Sequence, residues 1–421
     1  MKDHLGRPLV AVTGIGLVTP LAWGREANWA AITAGKSGIS RIRRFPVDKL
    51  RTTIAGTVEL PEEAAGAEPV SAAVRVERMA EVAVEEALGQ AALGEPGAFP
   101  GPLMVGMPPV ELEWLQRFEL ARQANGSGAY PAITRVATGR TDIYETFLFG
   151  GVGERLAAKF GTQGAPIALT TACATGASAI QMAVEAIQRG ESDAAIALGA
   201  DGSVQQEAVI RFSLLSALTA RNDNPEGASR PFEKTRDGFV MSEGAAALIL
   251  ESLEHATKRG ATILGIVSGC GEAADSFHRT RSNPDGHAII GAMRNAIDDA
   301  GLQPSDIGYV NAHGTGTPEN DKMETLGMRA VFGDAPPPIS SNKSMIGHTL
   351  SAAGAIEAAL SLLTIRDQIL PPTINHNEPD PAITLDVVPN VARKVSGLRH
   401  VLSNSFGFGG QNVCLVVSAA P

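Results

Sequence analysis

Bulky and reactive residues are scarce in this chain: aromatics make up 5% of its 421 residues, and there are three cysteines. With so few rings to fill a core, closely packed helices and tight strand-to-helix turns must do the work instead. Cys173, Cys270 and Cys414 are widely spaced and odd in number, which argues against a disulfide framework and against a clustered metal site, and fits a reducing cytoplasm. No apolar run is long enough for a membrane span, the opening MKDHLGRPLVAV included, so a soluble protein is expected. Positive charge is not in surplus either. Thirty-five basic residues against 45 acidic ones leave a net charge of −10, which argues against a general nucleic-acid or membrane-surface binder.

What the chain does have is glycine (46 residues), abundant alanine and 44% hydrophobic residues, the composition of a layered α/β protein with a sizeable core. Its length allows two or three domains or one large duplicated fold.

The stretch IALTTACATGASAIQMAVEAIQR, residues 167 to 189, organises the rest. A short apolar strand leads through Thr170 and Thr171 to Cys173. Polar residues then recur at Ser178, Gln181, Glu185 and Gln188, leaving the wide apolar face of a largely buried helix. A cysteine at such a turn faces unpaired backbone N–H groups and the positive end of the helix dipole, so its thiol is expected to ionise easily. With the strand AAIALGAD, Ala194 to Asp201, this makes a βαβ unit and implies a parallel sheet.

Pro8 to Val12 reads as a strand followed by a tight turn at TGIGLVTPL. Gly14 and Gly16 suggest a dinucleotide fingerprint only weakly, because Thr19 stands at the third glycine position and Pro20 follows. Arg41, Arg43 and Arg44 read as solvated surface. Residues 62 to 69 read as an exposed connection, Ala72 to Leu93 as a helix with Arg75 and Arg78 on one face, Asn125 to Tyr130 as a mobile loop, and Glu145 to Phe160 as a helix. Ala220 to Val240 reads as a charged loop anchored by Phe232 and Phe239. From Ala261 strands and helices alternate again, so two related halves are expected, 1–259 and 260–421.

The second half carries three further motifs. NAHGTGTP places His313 at a strand end among small residues. SNKSMIGHTLSAAG places His348 five residues after Lys343. NSFGFGGQN supplies a glycine-rich turn with free backbone N–H groups. A thiol, two histidines, a lysine and such a turn are the parts needed for acyl transfer through a thioester.

TTACATGASAI, ARNDNPEGASRPFEKTRDGFV, NAHGTGTPEND, NKSMIGHTLSAAGAIEA and NSFGFGGQN, in this order and across nearly the whole chain, resemble the motif set of the β-ketoacyl-acyl carrier protein synthases of the synthase II type. The resemblance implies a thiolase-like α/β fold of two duplicated α/β/α halves in five layers, and a homodimer. It implies decarboxylative condensation of a cysteine-bound acyl chain with malonyl-acyl carrier protein, giving 3-oxoacyl-acyl carrier protein and carbon dioxide in fatty acid elongation, with no cofactor and no metal. Its residue roles fall on Cys173 as nucleophile and on His313 and His348 as donors to the malonyl thioester carbonyl. The N–H groups of Cys173 and Phe408 would form the oxyanion hole, with Phe408 also the gate, and Phe406 and Glu357 would give support. Lys343 would pair with Glu357, Thr315 and Thr317 would hold the pantetheine arm, and Arg75 and Arg78 would belong to a patch for the carrier protein.

The chain departs from that pattern at Gly106-Met-Pro-Pro-Val110, beside the acyl pocket, at Ser216, where a carrier-binding arginine is usual, and at Asn320, where glycine is usual. Such changes fit a paralogue specialised for an unusual carrier or very long chains. Two other readings compete: a non-catalytic chain-length partner of a condensing heterodimer, which would typically have lost the nucleophile, and a Cys/His thioester hydrolase.

Overall fold

The computed structural model describes residues 1–61, 70–126 and 129–421. The predicted connection at 62–69 and the middle of the predicted loop at 125–130 lie outside the described residues.

Ten strands carry the architecture: β1 (Val10–Thr19), β2 (Leu103–Gly106), β3 (Ile167–Leu169), β4 (Ala194–Asp201), β5 (Gly244–Ser252), β6 (Gly265–Ala274), β7 (Tyr309–Asn311), β8 (Ile339–Ser340), β9 (His400–Phe406) and β10 (Gln411–Ser418). Their order is β8-β7-β9-β10-β6-β1-β5-β4-β2-β3, and Ala22–Trp23 adds a short hairpin partner to β1. The first five strands run 3-2-4-5-1, two parallel pairings and then two antiparallel ones. The last five repeat that plan strand for strand. The sets join edge to edge through the antiparallel residue pairs Val10–Val267, Ala11–Ile266 and Val12–Gly265.

Five helices complete the layers: α1 (Ala72–Ala91), α2 (Thr175–Gln188), α3 (His287–Asp299), α4 (Pro318–Phe332) and α5 (Ala353–Asp367). The α1 helix covers β1, β5 and β4, and α3 covers β6 and β10. Helices α2 and α5 pack against each other in the middle layer, α2 on β4 and β2, α5 on β5 and β9. Every residue of α5 from Ala353 to Ile365 is buried, its polar side chains included: Glu357 pairs with Lys343, and the hydroxyls of Ser361 and Thr364 donate to the carbonyls of Glu357 and Leu360. The two middle helices meet at small residues. An added Cβ at Gly176 would lie 2.6 Å from the Ala355 nitrogen, and one at Gly354 would lie 2.6 Å from the Ala177 nitrogen. This close approach is one use of the Ala/Gly-rich composition. Among the described residues no helix is long and apolar enough to cross a membrane.

Two expectations are corrected. The run through Gly14 and Gly16, predicted as a tight turn, is the continuation of β1, with a bulge between Val12 and Gly14. Those glycines serve packing: Cβ atoms there would meet the carbonyl oxygens of Ala87 and Ala83 on α1 at 2.1 and 1.7 Å. The helix predicted over Glu145–Phe160 is two helices, Thr141–Phe147 and Gly151–Phe160, interrupted at 148–150 where Gly150 and Gly151 weaken the helical preference. The Ala220–Val240 loop is anchored as expected, with Phe232 and Phe239 buried.

Candidate active site

Strand β3 stops at Leu169, and the chain turns sharply before α2. Ala172 takes a left-handed conformation (φ 50°), unusual for a residue with a Cβ, and thereby delivers Cys173 into a cavity. Thr175 fastens the turn: its Oγ1 accepts from the Thr171 N–H (2.7 Å) and donates to the Ala172 carbonyl (2.6 Å).

The corresponding ends of β7 and β8 supply the two histidines. His313 follows β7, and its N–H and that of Gly314 donate to the two carboxylate oxygens of Glu324 on α4, at 2.9 and 2.8 Å. Asn404 on β9 donates to the same carboxylate (3.0 Å) and accepts from the Cys414 thiol (3.3 Å). Glu324 is thus a positioning residue that motif reading passed over, its signal in the sequence being a carboxylate inside α4, eleven residues beyond His313; Asn404, read only as the start of the glycine-rich motif, is a second. His348 lies beyond the short helix Lys343–Ile346. Its N–H donates to the Val240 carbonyl (2.7 Å), and its carbonyl accepts from the Ser242 N–H (2.9 Å).

The three functional atoms converge. One atom each of Cys173, His313 and His348 lies within 4.8 Å of the others, and His348 Nε2 is 3.1 Å from Cys173 Sγ. The imidazole rings stand edge to face, 5.3 Å between centroids, with Phe406 against His313 and Phe239 against His348. The Leu350 N–H donates to His348 Nδ1 (3.2 Å), which makes Nδ1 the acceptor and leaves the proton of the neutral ring on Nε2. His348 therefore presents an N–H to the sulfur. The same arrangement opposes a metal, since ligation through Nε2 would require the proton to sit on the nitrogen facing Leu350.

Burial pushes both imidazoles well below the ordinary histidine range, and the nearby Lys343 charge pushes the same way, so both rings are neutral at pH 7. Burial also corrects the expectation of an easily ionised thiol. It drives Cys173 up to about 11, against the opposing pull of the Phe408 N–H on the sulfur and of Lys343. Iodoacetamide labelling mapped to Cys173 should therefore keep accelerating through pH 9 in the resting protein; a plateau below pH 8 would show a thiolate already formed.

Lys343 and Glu357, both buried, form an ion pair beneath the cavity, and burial raises Glu357 to about 7 against the lysine's pull. The cavity, about 350 Å³, is lined by Cys173, His313, His348, Phe406 and Phe408 together with Thr315 and Thr317, whose hydroxyls are 2.9 Å apart.

The two arginines expected on a carrier patch separate. Arg78 is exposed on α1 beside Glu81. Arg75 is buried, and with Arg44, predicted as solvated surface, it grips the fully buried Glu243: Arg75 Nη2 at 3.0 Å and Arg44 Nη1 at 2.7 Å. A carboxylate taken fully out of water needs such partners, and breaking a buried pair costs about 3–5 kcal/mol. Arg75 is therefore a structural cation inside the first half and offers no docking surface.

A duplicated five-layer α/β fold with a cysteine on the turn into the middle helix defines the thiolase-like class. Within it, the family model described as beta-ketoacyl synthase, N-terminal domain, matches residues 8–256, and the C-terminal domain model matches 264–377. The chain belongs to the beta-ketoacyl synthase family. It is 37% identical to the 3-oxoacyl-[acyl-carrier-protein] synthase 2 of Coxiella burnetii over 97% of this chain and 98% of that one. Among solved structures, a beta-ketoacyl synthase from Burkholderia phymatum superposes with a TM-score of 0.86 at 32% identity, covering 98% of this chain and all of that one. A type II polyketide ketosynthase, solved in complex with its acyl-carrier protein, gives 0.86 at 30% identity over 98% and 100%.

Proposed function

We propose that this chain condenses a cysteine-bound acyl group with malonyl-acyl carrier protein in fatty acid elongation, releasing carbon dioxide and 3-oxoacyl-acyl carrier protein. The observation that carries the reading is the His348 Nε2–H aimed at Cys173 Sγ with a second neutral imidazole beside it.

In the first step Cys173 sulfur attacks the thioester of the acyl carrier. The N–H groups of Cys173 and Phe408 hold the carbonyl oxygen as it becomes an oxyanion, and the carrier thiol leaves with the proton that Cys173 gives up. In the second step malonyl thioester enters, with Thr315 and Thr317 along its arm. Its carbonyl oxygen accepts from the ring N–H groups of His313 and His348 while the bond to the carboxylate breaks and carbon dioxide departs. The enolate carbon then attacks the acyl-cysteine carbonyl and expels the Cys173 sulfur as a thiolate, which takes up one proton from solvent and restores the free thiol. Neutral imidazoles suit this step because they stabilise the enolate oxygen without handing the carbanion a proton. Lys343 and Glu357 act through the histidines, as positioning residues. The half 1–259 supplies the nucleophile and the half 260–421 the imidazoles.

Two copies would act together. Helices Trp114–Gln123, Tyr130–Ala137 and Thr141–Phe147 leave Phe118, Tyr130 and Tyr144 exposed, and β3 is an edge strand with Ile167 exposed, which supports burial of that face in a homodimer. Three free cysteines suit the reducing cytoplasm.

The test is reconstitution with acyl- and malonyl-loaded carrier protein. A 3-oxoacyl product two carbons longer than the primer, with one carbon dioxide per turnover, is the expected result. Free fatty acid as the main product would replace the reading with a thioester hydrolase.

A further inference from the structure

The cavity that holds Cys173 opens between four segments: 212–217, 275–282, 315–320, which brings the exposed carboxylate of Glu319, and the glycine-rich turn 406–410. Asp275 folds the second of these into a loop, accepting from the N–H groups of Phe277 (2.8 Å) and Asn283 (2.7 Å). Backbone bonds fasten that loop to the glycine-rich turn: Gly409 N–H to the Arg279 carbonyl and Asp275 N–H to the Gly410 carbonyl, both 2.8 Å. Arg279 and Arg281 are thereby held at the mouth by main chain. Both are exposed and line the cavity, and neither has an acidic partner among the described residues. That is unusual here, because many other arginines of this acidic chain are paired, Arg7, Arg155, Arg211 and Arg393 among them. Large apolar side chains stand in water on these segments: Leu215, which lines the cavity, is 41% exposed, and Leu214 and Phe277, next in the chain to lining residues but outside the lining, are 80% and 55% exposed. Ser216 between them brings no charge.

We propose that Arg279 and Arg281 bind the phosphodiester of the carrier protein's phosphopantetheine arm, and that Leu214, Leu215 and Phe277 form the apolar rim on which the carrier itself seats. The inference rests on the condensing reading above. A pantetheine arm is a neutral chain of amides with sulfur at one end and phosphate at the other. With its thioester at Cys173 and its amides passing Thr315 and Thr317, the phosphate is the arm's one charged group and emerges at the mouth. Guanidinium forks are the side chains best matched to phosphate oxygens. Water-exposed leucine and phenylalanine beside them gain by being covered when the carrier arrives. This rim would take the place of the missing arginine at Ser216 and of the buried Arg75.

The test compares three donors of one acyl group, acyl-carrier protein, acyl-phosphopantetheine and acyl-pantetheine, by the rate of Cys173 acylation read as intact mass. The parent should favour acyl-phosphopantetheine over acyl-pantetheine by about tenfold, the scale of one charge-assisted hydrogen bond. In the Arg279→Ala, Arg281→Ala double variant that ratio should fall to about one, and Arg279→Lys with Arg281→Lys should restore part of it. Leu214→Ser with Leu215→Ser should raise KM for acyl-carrier protein relative to acyl-phosphopantetheine. A parent ratio near one, or a ratio unchanged by the double alanine variant, overturns the phosphate assignment. An unchanged KM ratio in the leucine variant overturns the apolar rim. Failure of all three donors to acylate the parent would be a different outcome, and would overturn the condensing reading itself.

Discussion

Cys173→Gln is expected to lower condensation by at least about 10³-fold while leaving the fold intact, because it removes the atom on which the acyl group is carried and nothing equivalent stands nearby. Cys270 is on β6 and Cys414 on β10, and burial pushes both thiols well up. Neither lines the cavity. The two imidazole donors survive the substitution, so the variant should still release carbon dioxide from malonyl-carrier protein and accumulate acetyl-carrier protein. Product chromatography alongside a thermal melt separates that outcome from misfolding. A variant that condensed at the parent rate would remove Cys173 from the reaction.

His313→Ala and His348→Ala are each expected to slow malonyl decarboxylation by about 10²–10³-fold, the usual cost of deleting one preorganised donor to a developing oxyanion. Acylation of Cys173 should persist in both, since the N–H groups assigned to the first oxyanion belong to the backbone. The two half-reactions, measured separately, distinguish this from a general loss of structure. Glu357, raised to about 7, is the group of the site that titrates as pH falls to 6.5, so the imidazoles are read in a Glu357→Gln background, whose decarboxylation rate should hold through 6.5, where an ordinary imidazole is half protonated. Burial and Lys343 keep both rings neutral there, and activity should fall only when the pH approaches their depressed values. Equal loss of acylation and decarboxylation in the histidine variants, or a sharp fall in the rate of the Glu357→Gln variant at pH 6.5, would contradict the role given to these rings.

Much of this was legible in the sequence because it is local. The strand, turn and helix around Cys173 are contiguous, and so are the turns that carry His313 and His348, so each motif specifies its own geometry. The repeat of five strands was visible only as a resumed alternation of strand and helix, since equivalent positions bear different residues. What escaped the sequence is set by contacts across the chain. Gly14 and Gly16 read as a turn because the carbonyls of Ala83 and Ala87 that exclude a side chain there lie on α1. Arg75 read as a surface cation because its partner Glu243 is 168 residues away. The helix N-terminus at Cys173 suggested an easy thiolate, yet enclosure by the middle layer and the loops raises the thiol. The tautomer of His348 depends on the N–H of Leu350, two residues on, whose orientation follows from the left-handed backbone at Leu350 (φ 44°).

The most direct test of the central claim is intact-protein mass spectrometry after mixing the parent with acyl-carrier protein and then with malonyl-carrier protein. An added acyl mass that maps to Cys173 and is discharged by the second carrier as a 3-oxoacyl product two carbons longer is the result this account expects. An acyl mass on any other residue, or none with any loaded carrier, would contradict it.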